Sequence, residues 1–75
     1  MEETSEMFEV VSSNIVSFEY LSDNTLRVLF KHGGTYEYDD VPREVLDEVL
    51  GAESVGAAFS QLIKNNYIFR KVDDA

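Results

Sequence analysis

Two stretches of this chain combine residue types that could hold a ligand. The first is "ESVGAAF" (Glu53–Phe59), which sets Ser54 ahead of an apolar pattern and puts Gly56 and Ala57 in the turn that follows. Small side chains around exposed backbone N–H groups make a seat for an anion such as a phosphate. The same residues also suit a structural role, with Ser54 capping its own helix and Gly56 allowing a neighbour to approach. The second stretch is "HGGTYEYDDVP" (His32–Pro42), where Tyr36 and Tyr38 flank Glu37. Those rings are either a surface for a stacked base or part of a small core. Near the C-terminus, Tyr67 and Phe69 are followed by Arg70 and Lys71, interleaving aromatic and basic residues as in single-strand binders. A final edge strand would give the same pattern. The candidate ligand-binding residues are therefore Ser54, Gly56, Ala57, Tyr36, Tyr38, Tyr67, Arg70 and Lys71.

Catalysis finds little support. There is no cysteine, and the one imidazole, His32, sits in a glycine turn. Nucleophilic chemistry needs an activated Ser, Cys or Lys beside a base. A metal site needs three or four convergent ligands. The adjacent pairs Asp39–Asp40 and Asp73–Asp74 read as charged loop edges, because neighbouring carboxylates diverge unless a cleft desolvates one of them. Lys64 falls at the far end of its helix, where it favours the C-terminal carbonyls. The expectation is a non-enzymatic module with no metal and no cofactor.

These residues must be positioned by one small domain, since 75 residues allow a single core. Such a domain gains little stability from its size, and forming a homodimer would help it. The chain carries 15 acidic and 6 basic residues, a net charge of −9. Six of those acids, Glu2, Glu3, Glu6, Glu9, Asp73 and Asp74, stand in the termini, so residues 12–72 hold nine acids against six bases. Nothing here resembles the basic stripe that tracks a phosphate backbone. The field favours basic partners. No segment has the length and apolarity of a signal peptide or a membrane span, so the expected setting is cytoplasmic with no membrane association.

The chain divides into an acidic tail over 1–11, flexible unless "MFEVV" extends into a strand, one domain over 12–72, and a short tail over 73–75. "IVSFEYL", "LRVLF" and "TYEY" read as strands separated by "SDNT" and "KHGG" turns. Pairing Tyr20 with Leu26, Phe18 with Val28 and Val16 with Phe30 gathers the apolar residues on one face. Pairing Phe30 with Tyr36 and Val28 with Tyr38 continues that face. Arg27 then lies between Glu19 and Asp39 on a solvated face. Pro42 opens a helix with Val45, Leu46, Val49 and Leu50 as its buried stripe, and Gly51 stops it. Val55, Ala58, Phe59, Leu62 and Ile63 follow the period of a second helix capped by Ser54 and ended by Asn65–Asn66. "YIFRKV" reads as a short fourth strand. The fold class is thus α+β: a three-stranded antiparallel meander with two helices packed on one face and a short C-terminal strand.

The order "SSNIVSFEY…LRVLFKHGGTYEYDDVP…AESVGAAFSQLIKNNY" resembles the KTSC domain, a small bacterial and phage-associated module. The resemblance runs from Val11 to Val72. It rests on Ser12–Ser13, Tyr36-x-Tyr38, Val41–Pro42, Ser54-x-Gly56, Phe59, Ile63–Lys64 and Tyr67. The family takes its name from copies at the C-terminus of some lysyl-tRNA synthetases, and the resemblance implies RNA binding with no agreed active site. The resulting expectation is a non-catalytic binding module for RNA or a nucleotide-type ligand. The competing expectation is an acidic interaction or inhibitor protein, phage-derived, that binds a basic host partner.

Overall fold

The computed structural model describes residues 5–72. Residues 1–4, and the short tail 73–75 with its Asp73–Asp74 pair, lie outside the described residues. Strands β1 (Ser5–Glu9), β2 (Ile15–Leu21), β3 (Leu26–Phe30), β4 (Thr35–Tyr38) and β5 (Phe69–Val72) form one antiparallel sheet in the order β1-β2-β3-β4-β5. Helices α1 (Arg43–Leu50) and α2 (Val55–Phe59) lie between β4 and β5, and α2 runs into a π-helical segment, Ser60–Lys64. The fold is therefore α+β, but the sheet has five strands rather than three or four. The additional strand is β1, in residues expected to belong to the acidic tail. It pairs with β2 through Phe8 opposite Phe18 and Glu6 opposite Tyr20.

The apolar alternation that sets the core face is obeyed, with two adjustments. Between β2 and β3, Tyr20 faces Leu26 and Phe18 faces Val28, as expected, but the ladder then shifts and Ile15 faces Phe30. This bulge turns Val16 outward, to 38% exposure, and buries Ile15 in its place. Between β3 and β4, Leu26 faces Tyr38 and Val28 faces Tyr36, two residues from the expected pairing. A shift of two keeps the same side chains inside, since strands repeat every two residues. It tightens the turn: the Phe30 N–H donates to the Gly34 carbonyl at 3.0 Å. Gly33 and Gly34 make this possible with φ of 126° and 90°, a region other residues avoid. The same shift puts Glu37, not Asp39, opposite Arg27.

Phe18, Leu26, Val28 and Tyr38 from the sheet meet Leu46 and Val49 of α1 and Phe59 and Ile63 of the second helix in one buried cluster. The α1 stripe is as expected, with Val45 and Leu50 flanking that buried pair. Pro42 stands just outside α1, and the Gly51 N–H caps the Asp47 and Val49 carbonyls. Ser54 caps α2, its hydroxyl accepting from the Ala57 N–H at 3.3 Å. After Phe59 the helix widens, and the Asn66 side chain closes the π turn by donating to the Gln61 and Leu62 carbonyls. No helix among the described residues is long and apolar enough to cross a membrane.

Candidate functional site

A cleft of about 310 Å³ opens between β4, the turn after β3, and the outer edge of the α2–π helix. Its size lies at the lower end of small-ligand pockets, roughly 300–1,000 Å³. The walls are aromatic: Phe30, Tyr36, Tyr38, Phe59 and Phe69. Packing locks these rings together. Tyr38 meets Phe59 edge-on at 5.3 Å and stacks on Phe69 at 5.4 Å between centroids. Phe30 meets Tyr36 edge-on at 5.5 Å. Phe69 remains 51% exposed, so one of its surfaces is open to a ligand.

The polar rim consists of Asn14, His32, Ser60, Lys64 and Asn65. Among the described residues, no carboxylate lines the cleft. In a chain with 15 acids and 6 bases, that local absence makes the cleft electrically unlike the rest of the surface. Tyr38 is 3% exposed, and its hydroxyl makes no hydrogen bond to the described residues. No buried side-chain oxygen or nitrogen among the described residues lacks a partner. Burial, followed by the neighbouring Tyr36, pushes the Tyr38 phenol above its usual pKa. It is a neutral donor and acceptor at physiological pH.

The candidate residues divide among three places. Tyr36, Tyr38 and Gly56 line the cleft. Ser54 and Ala57 face an adjoining shallow hollow with Ser12 and Ser13. There the Ser54 oxygen serves the helix cap, and a side chain added at Gly56 would sit 3.3 Å from the Ser12 oxygen. The five-residue α2 start is thus accounted for by capping and by close approach of the loop before β2. Tyr67 packs against the core and does not line the cleft. Arg70 lies on the opposite, open face of the sheet. It donates to both oxygens of Asp39 at 2.9 and 3.0 Å and to Glu37 at 3.0 Å. Glu37 also accepts from Arg27, and Arg27 reaches Glu19, so one ladder of charges spans β2 to β5. These carboxylate bonds, Asp39 foremost for Arg70 and Glu37 for Arg27, hold both guanidinium groups firmly charged. Lys71 stands opposite Tyr36 on the helix-covered face, its Cε 3.3 Å from where a Gly34 side chain would begin.

Residue types alone did not single out Phe69, His32 and Lys64 for this site. A legible signal existed in the spacing Gly56, Ser60, Lys64, a row of small, polar and cationic residues beside the buried Phe59 and Ile63. Among the described residues, no group of three or more His, Cys, Asp or Glu side chains converges as a metal site would require.

The architecture and the order of these residues have counterparts. A crystal structure of a KTSC domain protein from Yersinia pestis superposes with a TM-score of 0.86 at 31% identity, covering 92% of this chain and 99% of that one. An uncharacterized protein of Stutzerimonas stutzeri is 36% identical over 64 residues, which is 83% of this chain and 90% of its own. A protein of Tsukamurella paurometabola is 37% identical over 46 residues, 61% of this chain and 69% of its own. The KTSC domain model matches residues 11–67, which takes in every central strand, both helices and all of the cleft lining except Phe69. With the sheet, the helix pair and the sequence in agreement, this chain belongs to the KTSC domain family.

Proposed function

We propose that this domain is a non-catalytic binding module that receives one nucleotide-type ligand, free or as an unstacked base of RNA, in the aromatic cleft. The observation that carries this reading is the composition of the cleft: five aromatic walls and the cationic or neutral rim of His32, Lys64, Asn14 and Asn65, with no carboxylate among the described residues. A planar base gains roughly 1–3 kcal/mol from stacking on an aromatic side chain. The exposed surface of Phe69 offers such a contact, and the Asn amides and the Tyr38 hydroxyl offer both donors and acceptors to a base edge. Titrating nucleoside monophosphates or short RNA into isotopically labelled protein should shift the amide signals of His32–Tyr38 and Gly56–Asn65. An unchanged spectrum at millimolar ligand would end this reading.

A second reading is favoured by the outer face of α1, where Glu44, Asp47 and Glu48 are all exposed. That surface suits a basic protein partner. Neutralising the three acids should then weaken co-purification of such a partner, and raised salt should do the same. Capture that survives both changes would remove α1 from consideration.

A further inference from the structure

We infer that the mouth of the cleft is a subsite for a phosphomonoester, so that the ligand is a mononucleotide with a terminal phosphate and not an internal stretch of RNA. The inference rests on the cleft reading above and adds the class of ligand. The observation behind it is the division of the six cations into two sets. Every arginine is neutralised: Arg27 by Glu19 and Glu37, Arg43 by Glu6 and Asp47, Arg70 by Glu37 and Asp39. None of the three lysines forms an ion pair with a carboxylate among the described residues. Of these, Lys64 lines the cleft together with the chain's one histidine, and Lys71 stands beside the adjoining turn.

Lys64 and His32 line that opening directly. Lys71 lies across the strand pair from Tyr36, against Gly34 of the same turn. The π-helical segment contributes to this arrangement. Its wider turn, with bonds reaching one residue further than in an α-helix, keeps Lys64 near the line of Ser60 and Gly56. A uniform α period would carry Lys64 progressively round the helix, away from Gly56.

The chemistry of the opening favours a compact, highly charged anion. A phosphomonoester carries a charge of about −1.5 to −2 near neutral pH and three acceptor oxygens. Lysine ammonium groups suit it as mobile point charges with three donors each. An internal phosphodiester carries one charge, and its strand must continue on both sides across a surface dominated by carboxylates. The cleft, about 310 Å³, has the volume for a single base and sugar.

Isothermal titration of the full chain can separate these cases, using adenosine, adenosine 5′-monophosphate, and a short oligoadenylate without terminal phosphates. The monophosphate should bind at least about tenfold more tightly than adenosine. Lys64→Ala should weaken the monophosphate far more than adenosine and so abolish that advantage. Phe69→Ala should weaken both ligands together. Equal affinity for adenosine and its monophosphate, an unaltered advantage in Lys64→Ala, or tighter binding of the unphosphorylated oligomer would each overturn the phosphate subsite and leave the aromatic cleft standing. Absence of binding by all three probes would overturn the cleft reading and the subsite with it.

Discussion

The Tyr20 hydroxyl donates to the Val41 carbonyl at 2.6 Å and accepts from the Asn24 side-chain amide at 2.7 Å. It thereby joins the β2–β3 turn to the entry of α1. Val41 is fully buried, so Tyr20→Phe takes a partner from a carbonyl that water cannot reach. A loss of about 1–3 kcal/mol is expected, read as a lower urea midpoint at unchanged slope. Glu37 has a comparable position on the open face, where its side chain is 12% exposed and serves two arginines. Glu37→Ala should cost about 1–2 kcal/mol, whereas Asp47→Ala, in an exposed pair along one helix, should cost roughly 0–0.5 kcal/mol. Equal losses would mean that burial does not distinguish them. Tyr38 makes a prediction about pH. Its phenol titrates above the ordinary value because burial disfavours the phenolate. The folded state therefore holds this proton more tightly than the unfolded chain does. Its contribution to stability is complete below about pH 10 and is lost as pH rises through the folded pKa. Absorbance titration should show one tyrosinate forming late, and Tyr38→Phe should remove that phase.

At the scale of elements, β1 pairs with β2 and is tied to α1 by one clamp. Arg43 of α1 pairs with Glu6, lies 5.5 Å above the Phe8 ring and 5.7 Å above the Tyr20 ring, and is anchored by Asp47. Arg43→Ala should speed hydrogen exchange of the Ser5–Glu9 amides while β2–β4 remain protected. Uniform acceleration across the sheet would show that β1 is part of the global unit. The weak anchoring also explains why β1 was hard to read in the sequence. Only Phe8 among its five residues is even partly buried, so there is no alternating apolar signal. By contrast β2, β3 and β4 bury one face, and their alternation revealed which side chains face inward. It could not reveal the bulge at Val16 or a shift of two residues, because neither changes the side chains' parity over most of the strand. The Ser54 cap was equally legible, being a local interaction. Lys64 was legible only as the end of the Gly56, Ser60, Lys64 row, since a 3.6-residue period carries no mark of the π turn that keeps it in line. Phe69 reaches the cleft only through pairing of β5 with β4, a contact more than thirty residues distant from Tyr38 in sequence.

For the molecule as a whole, the net charge of −9 opposes compaction, while the ion-pair ladder across the sheet supports it. Ladder pairs at near contact are screened less than the diffuse repulsion among remaining carboxylates. Raising salt from about 10 mM to about 150 mM, where the Debye length falls from roughly 30 to 8 Å, should therefore raise the melting temperature. A fall would show that the ladder contributes more than the self-repulsion costs. Charge also explains why composition alone could not locate the cleft, since the sequence average is acidic and the cleft is the local exception. The strict β1-β2-β3-β4-β5 order has a consequence for kinetics. The first three pairings are hairpins that close short loops, so little chain entropy is lost before each interaction forms. Only the return of β5 to β4 spans the helices. The domain should refold in roughly milliseconds, with closure of β5, and hence of the cleft wall carrying Phe69, as the last and most readily reversed event.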